Sequence, residues 1–356
     1  MSLLVAEGFD QYGTDVTLIT DGGKIIQYDV SNASIVAGGI CGTNAFQDAS
    51  TGPNGFVVAP GHASQFSWGH VDFNFNNIGL GDEIITFRGE FGEKQSFFAI
   101  SASGSLQFWQ GPTFTTKLVE SATGLINNNT WTTIEWEVTI DASAGTVQAW
   151  IDGLEAIPLT VGLNTKAGAF GTPKDYSSVK FGGPNRYQLD NLVMGDDVVS
   201  GVTGKPNDGR IGRVHLTYVE AELDSVAGGG NYKQWTPLSG TDHGAMVDES
   251  PHDSDTTYNF SAAPTLLDSY TVPNIKITSG DIFGISIIPW VKKSDALNAR
   301  LIRPFYRLSG ADTFGAAVAV PDTQYEQKPT IFEGNGAAAW TVANVNALEI
   351  GVEDNT

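Results

Sequence analysis

The chain is broken every few residues by glycine, asparagine, aspartate or proline, and the runs between the breaks are β-branched and aromatic. VTLIT, KIIQYDV, GFVVAP, HVDFNFN, EIITFRGEF, SFFAIS, SLQFWQ, TIEWEVTID, TVQAWIDG, VKFGG and YQLDNLVM follow one another over the first 194 residues. With 42 glycines and 15 prolines in 356 residues, no stretch keeps an apolar period of 3.6 residues long enough to make a helix. Short runs at this spacing predict an all-β chain, with antiparallel strands packed as a sandwich.

Length and composition divide that prediction into two parts. A chain of 356 residues has room for about two domains. Between Gly195 and Gly212 the text becomes GDDVVSGVTGKPNDGRIG, polar and glycine-rich with Pro206 inside it, which marks a boundary. The expected organisation is a first domain over 1–200, a linker over 201–210 and a second β-sandwich over 211–356. The second block holds RVHLTYVEAEL, DIFGISIIPWVKKSD, ARLIRPFYRLSG and ALEIGVE.

The formal net charge is −21. Such a field repels nucleic-acid phosphates and excludes DNA or RNA as a natural partner. One cysteine, Cys41 in GGICGTNAF, makes no internal disulfide and no cysteine-rich zinc site. It reads as a small buried hydrophobe rather than a nucleophile. The opening MSLLVAEGFDQYG lacks a basic start and an apolar core, so a cytoplasmic origin without a signal peptide is expected. No 18-residue apolar run is present to insert into a membrane.

The stretch WTTIEWEVTIDASAGTVQAWIDG, 131–153, carries two glutamates one residue apart. Alternate side chains of a strand share a face. Ile134, Trp136, Val138 and Ile140 therefore form a core face, and Thr133, Glu135, Glu137 and Thr139 are expected to face water. Asp141 to Gly145 closes a hairpin onto Val147, Ala149 and Ile151, and Asp152-Gly153 opens the next turn. Residues two apart on a strand lie about 6.6 Å apart, which suits a glycosidase carboxylate pair. A general acid also needs burial or a like-charged neighbour to raise its pKa. The flanking threonines mark no apolar pocket, so the pair reads as a solvated face.

The same residues carry a resemblance. Trp131-Thr-Thr-Ile-Glu135, then Asp141…Gly145-Thr-Val-Gln-Ala-Trp-Ile-Asp152-Gly153, then Val179-Lys-Phe-Gly182 and Tyr187-Gln-Leu-Asp190-Asn191-Leu192 are similar in order to a concanavalin A-like, laminin-G-type jelly roll. The resemblance covers about 195 residues. It implies a jelly-roll sandwich drawn from a family of lectin-like modules, interaction modules and some endoglucanases. The endoglucanase branch carries Glu-x-Asp-x-x-Glu or Glu-x-Asp-x-Glu. Here Glu135-Trp136-Glu137 runs into Val138 and Thr139, without the central Asp or the third carboxylate. No catalytic residue is therefore assigned, and recognition or scaffolding is expected.

The second block resembles a module of tailed-bacteriophage structural proteins. The elements are Asn231-Tyr-x-x-Trp235, Val247-Asp-Glu249, Asp255-Thr-Thr-Tyr258 and Trp340-Thr341-x-x-x-Val345-Asn346-Ala-Leu348-Glu349-x-Gly351-Val352. The resemblance implies a virion component. Read from the residues alone, Thr341 caps one helical turn whose Val342 and Val345 pack inward with Trp340, and a strand follows over 347–352. IFGISIIPW is too apolar for a wet edge and belongs in a core or a subunit contact, and Pro289 cannot sit in mid-sheet.

Three side-chain groups are candidates for binding. His70, Asp72 and Asn74 share one face of HVDFNFNN, and with Trp109 and Trp150 they supply hydroxyl-reading groups and ring plates for a carbohydrate. An ordinary solvated face is the alternative. VDESPHDSD offers Asp248, Glu249, Asp253 and Asp255, with His252 among them, as oxygen donors for Ca²⁺. It lacks the D-x-D-x-D-G run, and turn-forming residues explain it equally well. His62, His70, His215, His243 and His252 show no H-x-x-x-H spacing, and no nucleophile elbow, P-loop or dinucleotide fingerprint occurs.

The expectation is a non-enzymatic virion structural protein: a tail fibre, spike or head decoration, with no cofactor beyond the possible Ca²⁺. Its partners would be other virion proteins, host surface polysaccharide and itself, most simply as a trimer closed by IFGISIIPW. A free lectin and a laminarinase-like glycan hydrolase are the alternatives.

Overall fold

The structure is a computed structural model and describes residues 2–7, 25–27, 33–37, 44–48, 56–58, 64–78, 82–89, 92–167, 176–182, 187–196, 219–249, 253–275, 282, 284–295, 299–321, 323–336 and 338–356. The predicted linker 201–210, VTLIT, Cys41, His62, His215 and His252 lie outside the described residues. The chain divides into two compact units, Met1–Thr20 with Lys24–Leu216, and Asp21–Gly23 with Thr217–Thr356. Both are β-rich. Among the described residues, helix amounts to three single turns, Asp224–Ala227, Gly244–Met246 and Val342–Val345, and no helix is long and apolar enough to cross a membrane.

The first unit is built from β1 (Ser2–Glu7), β2 (Ile25–Gln27), β3 (Ala33–Ala37), β4 (Asn44–Asp48), β5 (Phe56–Val58), β6 (Phe66–Phe75), β7 (Asp82–Arg88), β8 (Lys94–Ile100), β9 (Leu106–Gln110), β10 (Thr116–Glu120), β11 (Trp131–Thr139), β12 (Gly145–Ile151), β13 (Leu154–Leu163), β14 (Ser178–Phe181) and β15 (Tyr187–Asp196). An eight-stranded antiparallel sheet runs β13-β12-β11-β6-β15-β4-β3, with β1 also on β15. A seven-stranded sheet runs β10-β9-β8-β7-β14-β5-β2. The two face each other as a jelly-roll sandwich.

Period-2 alternation builds the core. Val71, Phe73, Ile134, Trp136 and Val138 point in from the first sheet, and Ile85, Phe87, Phe98, Phe108, Val179 and Phe181 from the second, all buried. The sheets touch through Trp136 and Phe181, with ring centroids 5.9 Å apart. Trp136 also lies over Gly69, where any Cβ would overlap its ring, and donates its indole N–H to Ser67 Oγ at 3.1 Å. Gly182 has φ +100°, and the Tyr187 hydroxyl occupies its open side.

The hairpin between β11 and β12 forms where the sequence predicts it. Asp141 Oδ1 accepts from the backbone N–H groups of Ser143 and Ala144, both at 2.7 Å, and the Asp152-Gly153 turn takes positive φ at both residues, 49° and 76°.

In the second unit, Leu267–Thr271, Glu349–Asp354, Arg300–Leu308 and Ala311–Phe314 form one antiparallel sheet in that order, and Val318–Val320 also pairs with Arg300–Leu308. Its core gathers Ile287, Tyr306, Phe332, Trp340, Val345 and Leu348, with Ile282 and Ile285 packed against them. Ile282, Ile285 and Ile287 of IFGISIIPW therefore feed this core. Pro289 falls between the short strands Ile285–Ile287 and Trp290–Val291. Thr341 caps its turn as expected, accepting from Asn344 N at 3.1 Å.

Gly69→Ala is expected to lower the stability of the first unit by about 1–3 kcal/mol, because the added methyl must displace Trp136. Urea unfolding followed by tryptophan fluorescence reads this; an unchanged midpoint contradicts the packing described.

Candidate functional site

The outer face of the eight-stranded sheet carries Trp68, His70, Asp72 and Asn74 from β6. Sheet register sets their neighbours. His70 lies opposite Glu135 on β11, and Glu135 lies opposite Trp150 on β12. Asp72 lies opposite Thr133 on one side and Asp190 on the other. The result is one polar seam across three strands. His70 Nε2 is 3.6 Å from Asp72 Oδ1, and His70 Nδ1 is 4.0 Å from Glu135 Oε1. Thr133 donates its hydroxyl to Asp72 Oδ1 at 2.5 Å, and Asn191 Nδ2 donates to Asp72 Oδ2 at 2.9 Å.

This seam is closed to solvent, which corrects the expectation of a wet face. His70 and Asp72 are fully buried, Glu135 is 1% exposed and Trp150 is buried as well. Alternation assigned each side chain to the correct side of the sheet but said nothing about what covers that side. His70, Asp72 and Trp150 therefore do share a face, without offering it to a ligand in bulk water. Asn74, half-buried, donates to Gln188 Oε1 at 3.0 Å.

Burial and pairing oppose each other here. Burial alone pushes the His70 pKa down, but Asp72 and Glu135 outweigh it and raise it above the ordinary imidazole value. Burial pushes Asp72 up, while His70, Thr133 and Asn191 hold it below the usual carboxylate range. Both shifts favour the charged forms, an imidazolium beside a carboxylate. Both His70 contacts are longer than hydrogen bonds, and among the described residues the two ring nitrogens and both Glu135 oxygens have no hydrogen-bond partner.

A glycosidase acid must approach within about 3 Å of the bond it protonates. Glu135 sits behind a closed surface and Glu137 is half-buried two residues on, so the two do not present a joint pair to a substrate.

Trp109 lies on the other sheet, apart from the seam. It is half-buried in a cross-strand row with Phe97 on β8 and Lys117 on β10. Its ring is parallel to Phe97 at 6.5 Å and perpendicular to the exposed Phe114 at 5.2 Å. Beside it, Glu120 accepts from Ser105 Oγ at 2.6 Å and Gln107 Nε2 at 2.7 Å, and also pairs with Lys117. These donors hold Glu120 at a pKa of about 2, led by Lys117.

The acidic loop of the second unit is split. The Thr257 hydroxyl lies 2.8 Å from Glu249 Oε1 and 2.9 Å from Asp253 Oδ2, whereas Asp255 pairs with Lys292. Among the described residues, no three His, Cys, Asp or Glu side chains gather as a metal would require, and Asp248, Glu249, Asp253 and Asp255 do not converge on one point.

Sequence reasoning missed a second buried charge cluster. His243 Nδ1 lies 2.9 and 3.0 Å from the two oxygens of Asp268, and Tyr270 donates its hydroxyl to Asp268 Oδ2 at 2.7 Å. Asn259 Nδ2 donates to Tyr270 Oη at 3.1 Å and to the His243 carbonyl at 2.9 Å. Burial raises the Asp268 pKa against these partners. The cluster ties the 243 loop and the 259 strand to the main sheet. Its one trace in the sequence is the same-face spacing of Asp268 and Tyr270.

The sequence matches no protein-family model and no curated protein. Among solved structures, Trypanosoma rangeli sialidase in complex with 2,3-difluorosialic acid is similar at 14% identity and a TM-score of 0.35, over 48% of this chain and 28% of the sialidase. The family 131 glycoside hydrolase catalytic domain from Coprinopsis cinerea is similar at 10% identity and a TM-score of 0.33, over 56% of this chain and 96% of that one. The exoplasmic/lumenal domain of VIP36 in its Ca²⁺/Man3GlcNAc-bound form is similar at 11% identity and a TM-score of 0.30, over 48% and 84%. Matches of this size assign no family.

The seam predicts a two-sided pH profile for the first unit. With its pKa raised on folding, His70 contributes fully below its unfolded value of 6.5, and that contribution is lost as pH rises through the folded value. Asp72, lowered on folding, contributes fully above its unfolded value of 3.8 and loses this as pH falls through the folded value. Thermal unfolding from pH 3 to 9 should show both declines, and His70→Asn should remove the alkaline one. Asp72→Asn should cost about 3–5 kcal/mol, the penalty for breaking a buried pair.

Proposed function

We propose that the chain is a non-enzymatic component of a tailed-bacteriophage virion, at a tail-fibre, spike or head-decoration position, with a lectin-like first unit and an attaching second unit. The non-enzymatic half rests on one observation. Glu135, the carboxylate a glycanase would need at its surface, is 1% exposed beside the buried His70. A buried carboxyl group closed off from solvent does not meet a glycosidic bond.

The virion half rests on the residue order in the second block. Its signature aromatics serve as framework: Trp235 Nε1 donates to the Leu266 carbonyl at 3.1 Å, Trp340 Nε1 to the Phe332 carbonyl at 2.8 Å, and Tyr232 Oη to Asp312 Oδ2 at 2.6 Å.

For contact with a host surface glycan, the rim around Trp109 and Phe114 replaces the His70–Asp72 face. A half-exposed ring beside Gln107 and Glu120 offers both an apolar plate and hydroxyl partners. Trp109→Ala should weaken binding to host cells or extracted polysaccharide by about tenfold, the effect of losing roughly 1.4 kcal/mol.

The chain is expected among the proteins found by mass spectrometry of purified particles, and it should release no reducing ends from extracted polysaccharide. Absence from particles removes the virion reading. Release of reducing ends that is lost in Glu135→Gln establishes a hydrolase instead.

A further inference from the structure

The outer face of β9 and β10 carries a chain of hydrogen bonds that ends on the Trp109 ring. Leu106 and Phe108 of β9 point into the core, so Gln107 and Trp109 point out. On β10, Glu120 lies opposite Gln107 and Lys117 opposite Trp109. Residues three apart on a regular strand would lie on opposite faces. A register shift between Lys117 and Val119 inserts the one extra residue that brings Lys117 and Glu120 to the same side.

Glu120 is the junction. Its Oε1 accepts from Ser105 Oγ at 2.6 Å and from Gln107 Nε2 at 2.7 Å, and Lys117 donates to its Oε2. Ser105 is itself fixed, fully buried with its hydroxyl 2.6 Å from Ser101 Oγ. Gln107 passes the constraint on, because its Oε1 accepts the Trp109 indole N–H at 3.1 Å. A glutamine amide has a donor end and an acceptor end. The carboxylate takes only donors, so it turns the Gln107 nitrogen to itself and leaves the oxygen for the indole. The Trp109 ring, parallel to Phe97 and perpendicular to Phe114, is thereby held in one orientation. A plate ordered before its ligand arrives avoids the ordering cost at binding.

The same carboxylate bears on which saccharide the plate takes. The two lysines beside this aromatic row are both paired, Lys117 with Glu120 and Lys94 with Glu83. Neither offers an acidic sugar a free ammonium, and the formal charge of −21 repels it. Glu120 keeps acceptor capacity beyond these donors, and its side chain is 31% exposed, so a sugar hydroxyl can donate to it.

We propose that Glu120 positions the Trp109 plate, through Gln107, for an uncharged glycan, and that by pairing Lys117 it turns acidic glycans away. This rests on the glycan reading of the Trp109 rim.

Two readouts on the full chain test the two halves separately. The Trp109 indole N–H resonance is assigned by its loss in Trp109→Phe. It should exchange with solvent about tenfold faster in Glu120→Ala than in the parent, and at the parent's rate in Glu120→Gln, whose amide oxygen still accepts from Gln107. On an array of neutral and uronic-acid-bearing oligosaccharides, the parent should bind neutral members only. Glu120→Ala should bind them about tenfold more weakly. Glu120→Gln should keep neutral binding and gain acidic members, because Lys117 is released. An indole proton indifferent to Glu120→Ala overturns the positioning. Acidic members bound by the parent, or not gained by Glu120→Gln, overturn the selection. A parent that binds no member contradicts the host-glycan reading itself, and the indole exchange alone then decides whether Glu120 positions the ring.

Discussion

Trp136 fixes the register on which the rest of the first unit depends. Its ring fills the space left by Gly69 and reaches Phe181 on the opposite sheet, and its indole N–H is satisfied by Ser67. No other pairing of β6 with β11 places a residue without a side chain under that ring. A slip of one residue would turn every side chain of the strand to the other face. Once Trp136 points inward, Glu135 must point outward beside His70, and Thr133 beside Asp72. The charged seam is thus a consequence of how one tryptophan packs.

That seam costs desolvation energy, which its pairings offset. Two carboxyl groups and an imidazole leave water together, and a buried pair of this kind adds little net stability over an apolar one. What it does add is intolerance of error. With ring nitrogens and carboxylate oxygens at ion-pair rather than hydrogen-bond distance, losing any member leaves the others unpaired in a low dielectric. Such a seam holds three neighbouring strands in one register. The His243–Asp268–Tyr270 cluster does the same in the second unit, joining segments 25 residues apart through short hydrogen bonds.

Local pattern made much of this legible. The strands, the hairpin at 141–145, the Asp152-Gly153 turn, the Thr341 cap and the inward set of Trp136 all follow from spacings of a few residues. Closure of the His70–Glu135 face did not, because alternation assigns a side to each residue and carries no information about what covers that side. Trp109 and Trp150 looked alike in sequence, yet they sit on different sheets, and only strand order separates them. The register shift in β15 between Asp190 and Val193, which brings Asn191 onto Asp72, left no mark that alternation could detect. Of IFGISIIPW, Ile287 is buried in the second core with Ile282 and Ile285 packed against it, a division within the run that composition could not make.

The central claim is that His70 is a buried, charged strut rather than part of a solvent-facing site. Nitrogen-detected NMR of the His70 ring across pH tests it directly. The account predicts a doubly protonated ring that persists above the ordinary value of about 6.5, with ring protons exchanging slowly with solvent. A ring that titrates at or below that value, with protons in rapid exchange, would contradict it and return Glu135 and His70 to the surface as a site for chemistry.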